Sequence, residues 1–323
     1  MGNAAIWLIT TALAVVLVLL LVAFRALKSK PLIDRLLQER LGSAKDHTAS
    51  VDVAAPYQLV RARYGWMLVN SNDAYLGQAI IQYGECCELE VKLLLQLIAI
   101  RPGVVIEIGT NIGTHTVPMA LALAARNRQM TVFEPQPFIF QNMCANLSLN
   151  GLANVTAWPY ACGDRPGTLF FPRPDYHAQG NFGGISMTDA SADAAVAVPC
   201  HRLDDLVDAT TVSMMKIDVE GFELRALQGA ADILARSRPV LYVENDRIEQ
   251  SKELIEWLWS KDYRLWWHIP PLFNPDNFFK NENDVYKGVC SFNMIGLPRE
   301  LDFPVKGFDE ITSSAHPLSL RND

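Results

Sequence analysis

The chain opens on an apolar run. Ala4 to Phe24 is 21 residues without a charged side chain, and Thr10 and Thr11 are its only clearly polar members. As a helix it is about 31 Å long, enough to cross a bilayer core. No Lys or Arg precedes the run and no A-x-A site follows it, so the pattern predicts a retained membrane helix over 4–24 rather than a cleaved signal. From Pro31 the apolar positions Leu32, Ile33, Leu36, Leu37 and Leu41 fall on one helical face, with Asp34, Arg35, Gln38, Glu39 and Arg40 on the other. Such a helix fits a membrane surface or a docking site on the domain that follows. Residues 43–56 are small and polar and read as a tether.

From about Tyr57 the period changes. Leu89 to Ile100 reads as a helix, stopped by Arg101-Pro102-Gly103. Short apolar runs at Val104–Ile108, Met130–Glu134, Val155–Tyr160, Met214–Asp218 and Pro239–Glu244 have the pattern of buried parallel strands. Helical stretches at Val117–Arg126, Phe138–Asn150, Phe222–Ala235 and Ile248–Ser260 lie between them, and Tyr263–His268 and Gly288–Ile295 read as closing strands. This alternation predicts a doubly wound α/β sheet over 57–300, followed by a C-terminal tail over 301–323. Residues 164–200, rich in Pro, Gly and Ala/Asp, predict an inserted hairpin or lid.

Charge refines the picture. Residues 25–45 carry six Lys/Arg and two Asp/Glu, a local +4, so with a total of -7 the remainder is -11. A basic collar behind an apolar helix places the large domain in the cytoplasm. The acidic remainder argues against nucleic acid as a partner. The six cysteines form no C-x-x-C pair and read as reduced thiols.

Candidate chemistry gathers at the strand ends. Glu107-Ile108-Gly109-Thr110-Asn111-Ile112-Gly113 joins a strand to a helix. A pyrophosphate loop would read G-x-G-x-x-G; here the spacing is G-x-x-x-G with a carboxylate ahead, which suits a cationic or amine-bearing ligand. Glu134, 25 positions after Gly109, stands where nucleotide-binding sheets hold a ribose diol. Lys216-Ile217-Asp218-Val219-Glu220-Gly221-Phe222-Glu223 sends carboxylates off a strand end toward the same cleft. Glu220 or Glu223 could equally serve a helix start.

These stretches resemble the FkbM family of S-adenosylmethionine-dependent methyltransferases. The resemblance also takes in Tyr83-Gly84-Glu85, Ala161-Cys162-Gly163-Asp164, Leu203-Asp204-Asp205, Gly229-Ala230 and Asn274–Phe279, and covers roughly 60–300. It implies a class I methyltransferase, a Rossmann-like sheet of seven strands with the last antiparallel. It further implies that Glu107, Gly109, Asn111 and Gly113 line the methionine end of the cofactor and that Glu134 holds its ribose. Cys162 and Asp164 would lie near the adenine, and Asp218 beside the methyl.

The expected activity is O-methylation of a hydroxyl on a glycan, a lipid-linked sugar or a natural product. Asp218 and Glu220 are the candidate catalytic pair, alone or with a divalent cation. His177 and His268 are second choices. His115, the cluster Trp257, Trp259, Trp266 and Trp267, and the Asn274–Phe279 loop remain open between packing and acceptor binding. Two other readings stand beside this one: a non-catalytic binding or assembly protein on the same fold, and a dinucleotide oxidoreductase, which lacks its glycine motif here. The acceptor, the metal and the oligomeric state are not legible.

Overall fold

A computed structural model describes residues 53–193, 195–208 and 211–319. The expected membrane helix 4–24 and the amphipathic segment behind it lie outside those residues. Among the described residues, no helix is long and apolar enough to cross a membrane.

The domain begins with a hairpin, β1 (Tyr57–Ala62) and β2 (Gly65–Asn70), followed by α1 (Leu76–Tyr83) and α2 (Glu88–Ile100). Then comes the alternating unit: β3 (Val104–Ile108), α3 (Thr116–Ala124), β4 (Met130–Phe133), α4 (Pro137–Leu149) and β5 (Val155–Trp158). A side sheet of three strands interrupts it, with β6 (Ala161–Cys162), β7 (Gly167–Pro172) and β8 (Ala195–His201). The chain continues through α5 (Leu203–Leu206), β9 (Val212–Ile217), α6 (Glu223–Gln228), α7 (Ala231–Ser237), β10 (Val240–Glu244), α8 (Ile248–Ser260), β11 (Tyr263–His268) and β12 (Asn293–Pro298).

Seven strands form the main sheet in the order β11-β12-β10-β9-β3-β4-β5. β12 runs antiparallel to both of its neighbours, while β10, β9, β3, β4 and β5 are mutually parallel. The seven-stranded sheet with its last strand antiparallel is therefore present as expected. Strand order reverses between β3 and β9, and in such sheets ligands bind beyond the carboxyl ends at that point.

Alternate residues of the central strands feed two cores. Val105 and Met214 pack on one face with Leu94, Ile98 and Leu123; Ile106 and Met215 pack on the other with Leu227, Ile233 and Ile255. Every residue of β9 is buried, Lys216 included.

Three boundaries differ from the sequence expectation. The helix expected over Phe222–Ala235 is two helices, α6 and α7, broken at Gly229-Ala230. A Cβ on Gly229 would lie 1.9 Å from the carbonyl oxygen of Gly163, so the chain bends around that contact. The last strand begins at Asn293 rather than Gly288, because Cys290 bridges to Pro271 in the preceding loop. The segment expected as a tail is packed: Ile311 N donates to Leu265 O at 2.8 Å, and Ile311 and His316 are buried. The insertion at 164–200 is a hairpin, β7 against β8.

Candidate active site

Gly109 turns the chain off β3 with φ +82°, a region that glycine enters without penalty. Its backbone lies against the β9 loop, where Asp218 N donates to Ile108 O at 3.0 Å. Two residues on, Asn111 (φ +49°) presents its N–H to Glu134 Oε2 at 2.9 Å, and Gln136 N donates to Glu134 Oε1 at 2.9 Å. The Glu134 carboxylate is thus fixed by two backbone donors and keeps lone pairs free. Burial pushes its pKa up to about 7, against those two bonds.

Lys216 sits in the wholly buried β9. Its Nζ is 3.0 Å from Asp218 Oδ2 and 3.5 Å from Glu107 Oε1, and Thr116 Oγ1 donates to Glu107 Oε2 at 2.7 Å. Burial opposes the ammonium charge, but Asp218 and Glu107 outweigh it and hold Lys216 above its ordinary pKa. Burial likewise opposes the Asp218 charge, and Lys216 outweighs it and holds that carboxyl low. Glu107 is pushed up to about 7 by burial. Asp218 is therefore an ionised group at the base of the cleft.

Further carboxyl groups stand beside Asp218. Glu220, at φ +55°, pairs with Arg247, which also holds Asp246 at 2.8 Å. Burial, and then Asp218, push Glu220 up to about 8. The same causes drive Glu244 well above the carboxylate range. Oxygens of Asp218, Glu220 and Glu244 all lie within 4.8 Å of one another, a set that could hold a hard divalent cation. Glu223 faces elsewhere: its Oε1 accepts Val219 N and Gly221 N, the helix-start role left open by the sequence.

These groups line one cavity of about 380 Å³. Its wall carries six carboxylates (Glu90, Glu134, Asp218, Glu220, Glu244, Asp246) and two cations (Lys216, Arg247). So many carboxyl groups, most of them raised by burial and by their neighbours' charge, disfavour a pyrophosphate in this wall. Of the expected site residues, Gly109, Asn111, Glu134, Asp218 and Glu220 reach the cavity. Glu107 lies behind it as the second partner of Lys216, and Gly113 shapes the turn.

Cys162 and Asp164 do not line the cavity. Cys162 lies in β6, which pairs with β8 outside the main sheet, and is buried in apolar surroundings; two residues on, Asp164 Oδ1 accepts Arg225 Nε at 2.7 Å. His177 is exposed on the lid, and His268 Nδ1 bonds Tyr242 OH at 2.8 Å. Asn274–Phe279 docks on Glu85 instead of the cavity.

Several lining groups stand outside the residues singled out from the sequence. Lys216 carries a visible signal, a lysine inside an apolar strand. Cys87 and Glu90 carry none locally; α2 brings them to His115, already singled out in the sequence, at the start of α3. Burial holds the His115 imidazole neutral, with its pKa lowered to about 3.

Fold and cavity together define an α/β protein with a ligand site at its topological switch point. Residues 107–265, just under half of the chain, match the Methyltransferase FkbM domain. The Hexuronic acid methyltransferase AglP of Haloferax volcanii is 26% identical over 147 residues, 45% of this chain and 56% of that protein. The chain thus spans little more than half the length of that curated relative. Among solved structures, the methyltransferase FkbM from Methylobacillus flagellatus shows 16% identity and a TM-score of 0.40, covering 60% of this chain and 43% of that one. The O-methyltransferase TomG from Streptomyces achromogenes, solved with SAM, shows 15% identity and a TM-score of 0.40, covering 65% and 80%.

Proposed function

We propose that this chain is an S-adenosylmethionine-dependent O-methyltransferase whose acceptor is a hydroxyl of a glycan, a lipid-linked sugar or another amphiphilic natural product. The observation that supports it most is the meeting of three strand ends in one acidic cavity: the Gly109 loop, the fixed carboxylate of Glu134, and the Lys216–Asp218 pair. The residues fit such a donor. Glu134 offers free lone pairs to a diol, and the net-acidic wall suits a sulfonium and an amine.

When bound, the donor supplies an electrophilic methyl group. The chain's own residues then orient the acceptor oxygen and take its proton. Glu220, raised to about 8 by burial and Asp218, receives that proton in its ionised form, so transfer rises as pH approaches 8, and Asp218 holds the hydroxyl in line. A divalent cation on Asp218, Glu220 and Glu244 is compatible with this assignment.

The apolar segment 4–24 anchors the domain on the cytoplasmic face, raising its effective concentration for membrane-held acceptors. Comparing envelope glycans and lipids of cells with and without the gene tests the reading. A methyl-for-hydrogen mass difference should return with wild type and not with Asp218→Ala. Purified protein that takes up neither the donor nor S-adenosylhomocysteine would sink it.

A further inference from the structure

Cys87, Glu90 and His115 form a second cluster in the wall of the same cavity, within electrostatic reach of Asp218. Cys87 stands at the N-cap of α2 with φ +51°, a conformation few non-glycine residues adopt. Glu90 projects from the first turn of that helix, and His115 caps α3. Sγ, a carboxylate oxygen and an imidazole nitrogen all lie within 4.8 Å of one another.

His115 is 7% exposed, and its Nε2 makes no hydrogen bond. The nearest carboxylate oxygen, Glu90 Oε2, is 3.5 Å away. A buried ring nitrogen left without a partner is costly, so the position calls for a ligand. Glu90 is itself oriented from behind: its other oxygen, Oε1, accepts Ser291 Oγ at 2.6 Å. Outer-shell support of this kind accompanies metal-binding carboxylates.

We propose that Cys87, Glu90 and His115 bind a zinc-like divalent cation through sulfur, oxygen and nitrogen, with its remaining position open to the cavity. The donor set selects the metal. Thiolate and imidazole suit Zn²⁺ and Co²⁺, whereas Mg²⁺ and Ca²⁺ take oxygen ligands. Three protein ligands and one open position define a site that can bind an exogenous oxygen. The excess of carboxylates in the wall favours a cation there. This deepens the methyltransferase reading and rests on it for its role: the open position would hold the acceptor hydroxyl beside the cleft.

The test uses the full chain, purified in detergent, loaded with Zn²⁺ or Co²⁺, and desalted. Stoichiometric zinc by mass spectrometry is expected, together with a sulfur-to-cobalt charge-transfer band in the Co²⁺ form. Cys87→Ser should abolish that band and His115→Ala should abolish retention, while Cys144→Ser, outside the cavity, keeps both. Ser291→Ala should weaken zinc binding roughly 10-fold. Calorimetry with S-adenosylhomocysteine on the same preparations reports folding and the donor site separately. Donor binding without metal overturns the metal site and leaves the methyltransferase reading standing; metal without donor binding does the reverse. Metal lost in Glu244→Gln but kept in Cys87→Ser assigns it to the other carboxylates and overturns the proposal. Recovery of Cys86 and Cys87, whose sulfurs lie 3.2 Å apart, as a metal-free disulfide also overturns it.

Discussion

A carbon added to Gly109 would lie 1.6 Å from the carbonyl oxygen of Asp218. The two loops that build the candidate site are therefore in backbone contact, so a shift of one is passed to the other. Gly109→Ala should displace both. The positive φ alone costs about 1 kcal/mol, and the overlap adds to it. Thermal unfolding should show the loss of stability, and methyl transfer to any accepted hydroxyl should fall roughly 100-fold through misplacement. Gly167→Ala is the control, because nothing lies within 4 Å of its added carbon. Equal effects from the two substitutions would contradict the backbone coupling.

The Glu134 carboxyl, held near pKa 7 by burial, gives a pH prediction. A diol donates to the ionised carboxylate, so binding must displace any proton there. Affinity should then rise with pH up to about 7 and level off above it, with a limiting slope of about tenfold per unit. Adenosine is the suitable probe, since it carries the diol and no amino acid to titrate. Glu134→Gln should bind it more weakly and lose one proton's worth of that slope. Parallel pH profiles for the two proteins would remove Glu134 from the diol-binding role.

What the sequence disclosed about this site follows from how locally each part is built. Glu107, Gly109 and Asn111 belong to one strand-to-helix turn, and Asp218 and Glu220 to another, so residue order alone placed them. Strands such as Val104–Ile108 were legible because burial on both faces leaves a continuous apolar run. The β1–β2 hairpin was not, since most of its first strand is only partly buried and carries no clean alternation. Glu90 and Arg247 were illegible for another reason. Each is an ordinary charged residue near the start of a helix, and only the tertiary fold turns it into the cavity.

Cys162 and Asp164 stand apart from the groups that line the cavity. The resemblance set them beside the adenine, but β6 turns away to pair with β8. Asp164 instead joins Arg225, and both side chains are about one quarter exposed. Asp164→Ala should therefore cost no more than about 1 kcal/mol, and S-adenosylhomocysteine affinity by calorimetry should stay within about twofold, since less than about 0.5 kcal/mol is at stake. A loss of tenfold or more would restore Asp164 to the donor site.

Glu85 binds together two stretches that the family resemblance picked out separately. Its carboxylate accepts Arg63 Nε at 2.6 Å, Asn274 Nδ2 at 2.7 Å and Phe278 N at 2.8 Å, and its side chain is 4% exposed. The Asn274–Phe279 loop is thereby fastened to the start of α2, the helix that carries Glu90 into the cavity. Asn274 and Phe278 N would be left without an acceptor in Glu85→Ala, while Arg63, about one quarter exposed, can turn to water. The expected loss is roughly 1–3 kcal/mol by denaturant unfolding. Donor affinity should hold, because Glu134 and the Gly109 loop approach from the opposite strands. A variant of unchanged stability with weakened donor binding would mean that this loop touches ligand and that its packing on Glu85 is incidental.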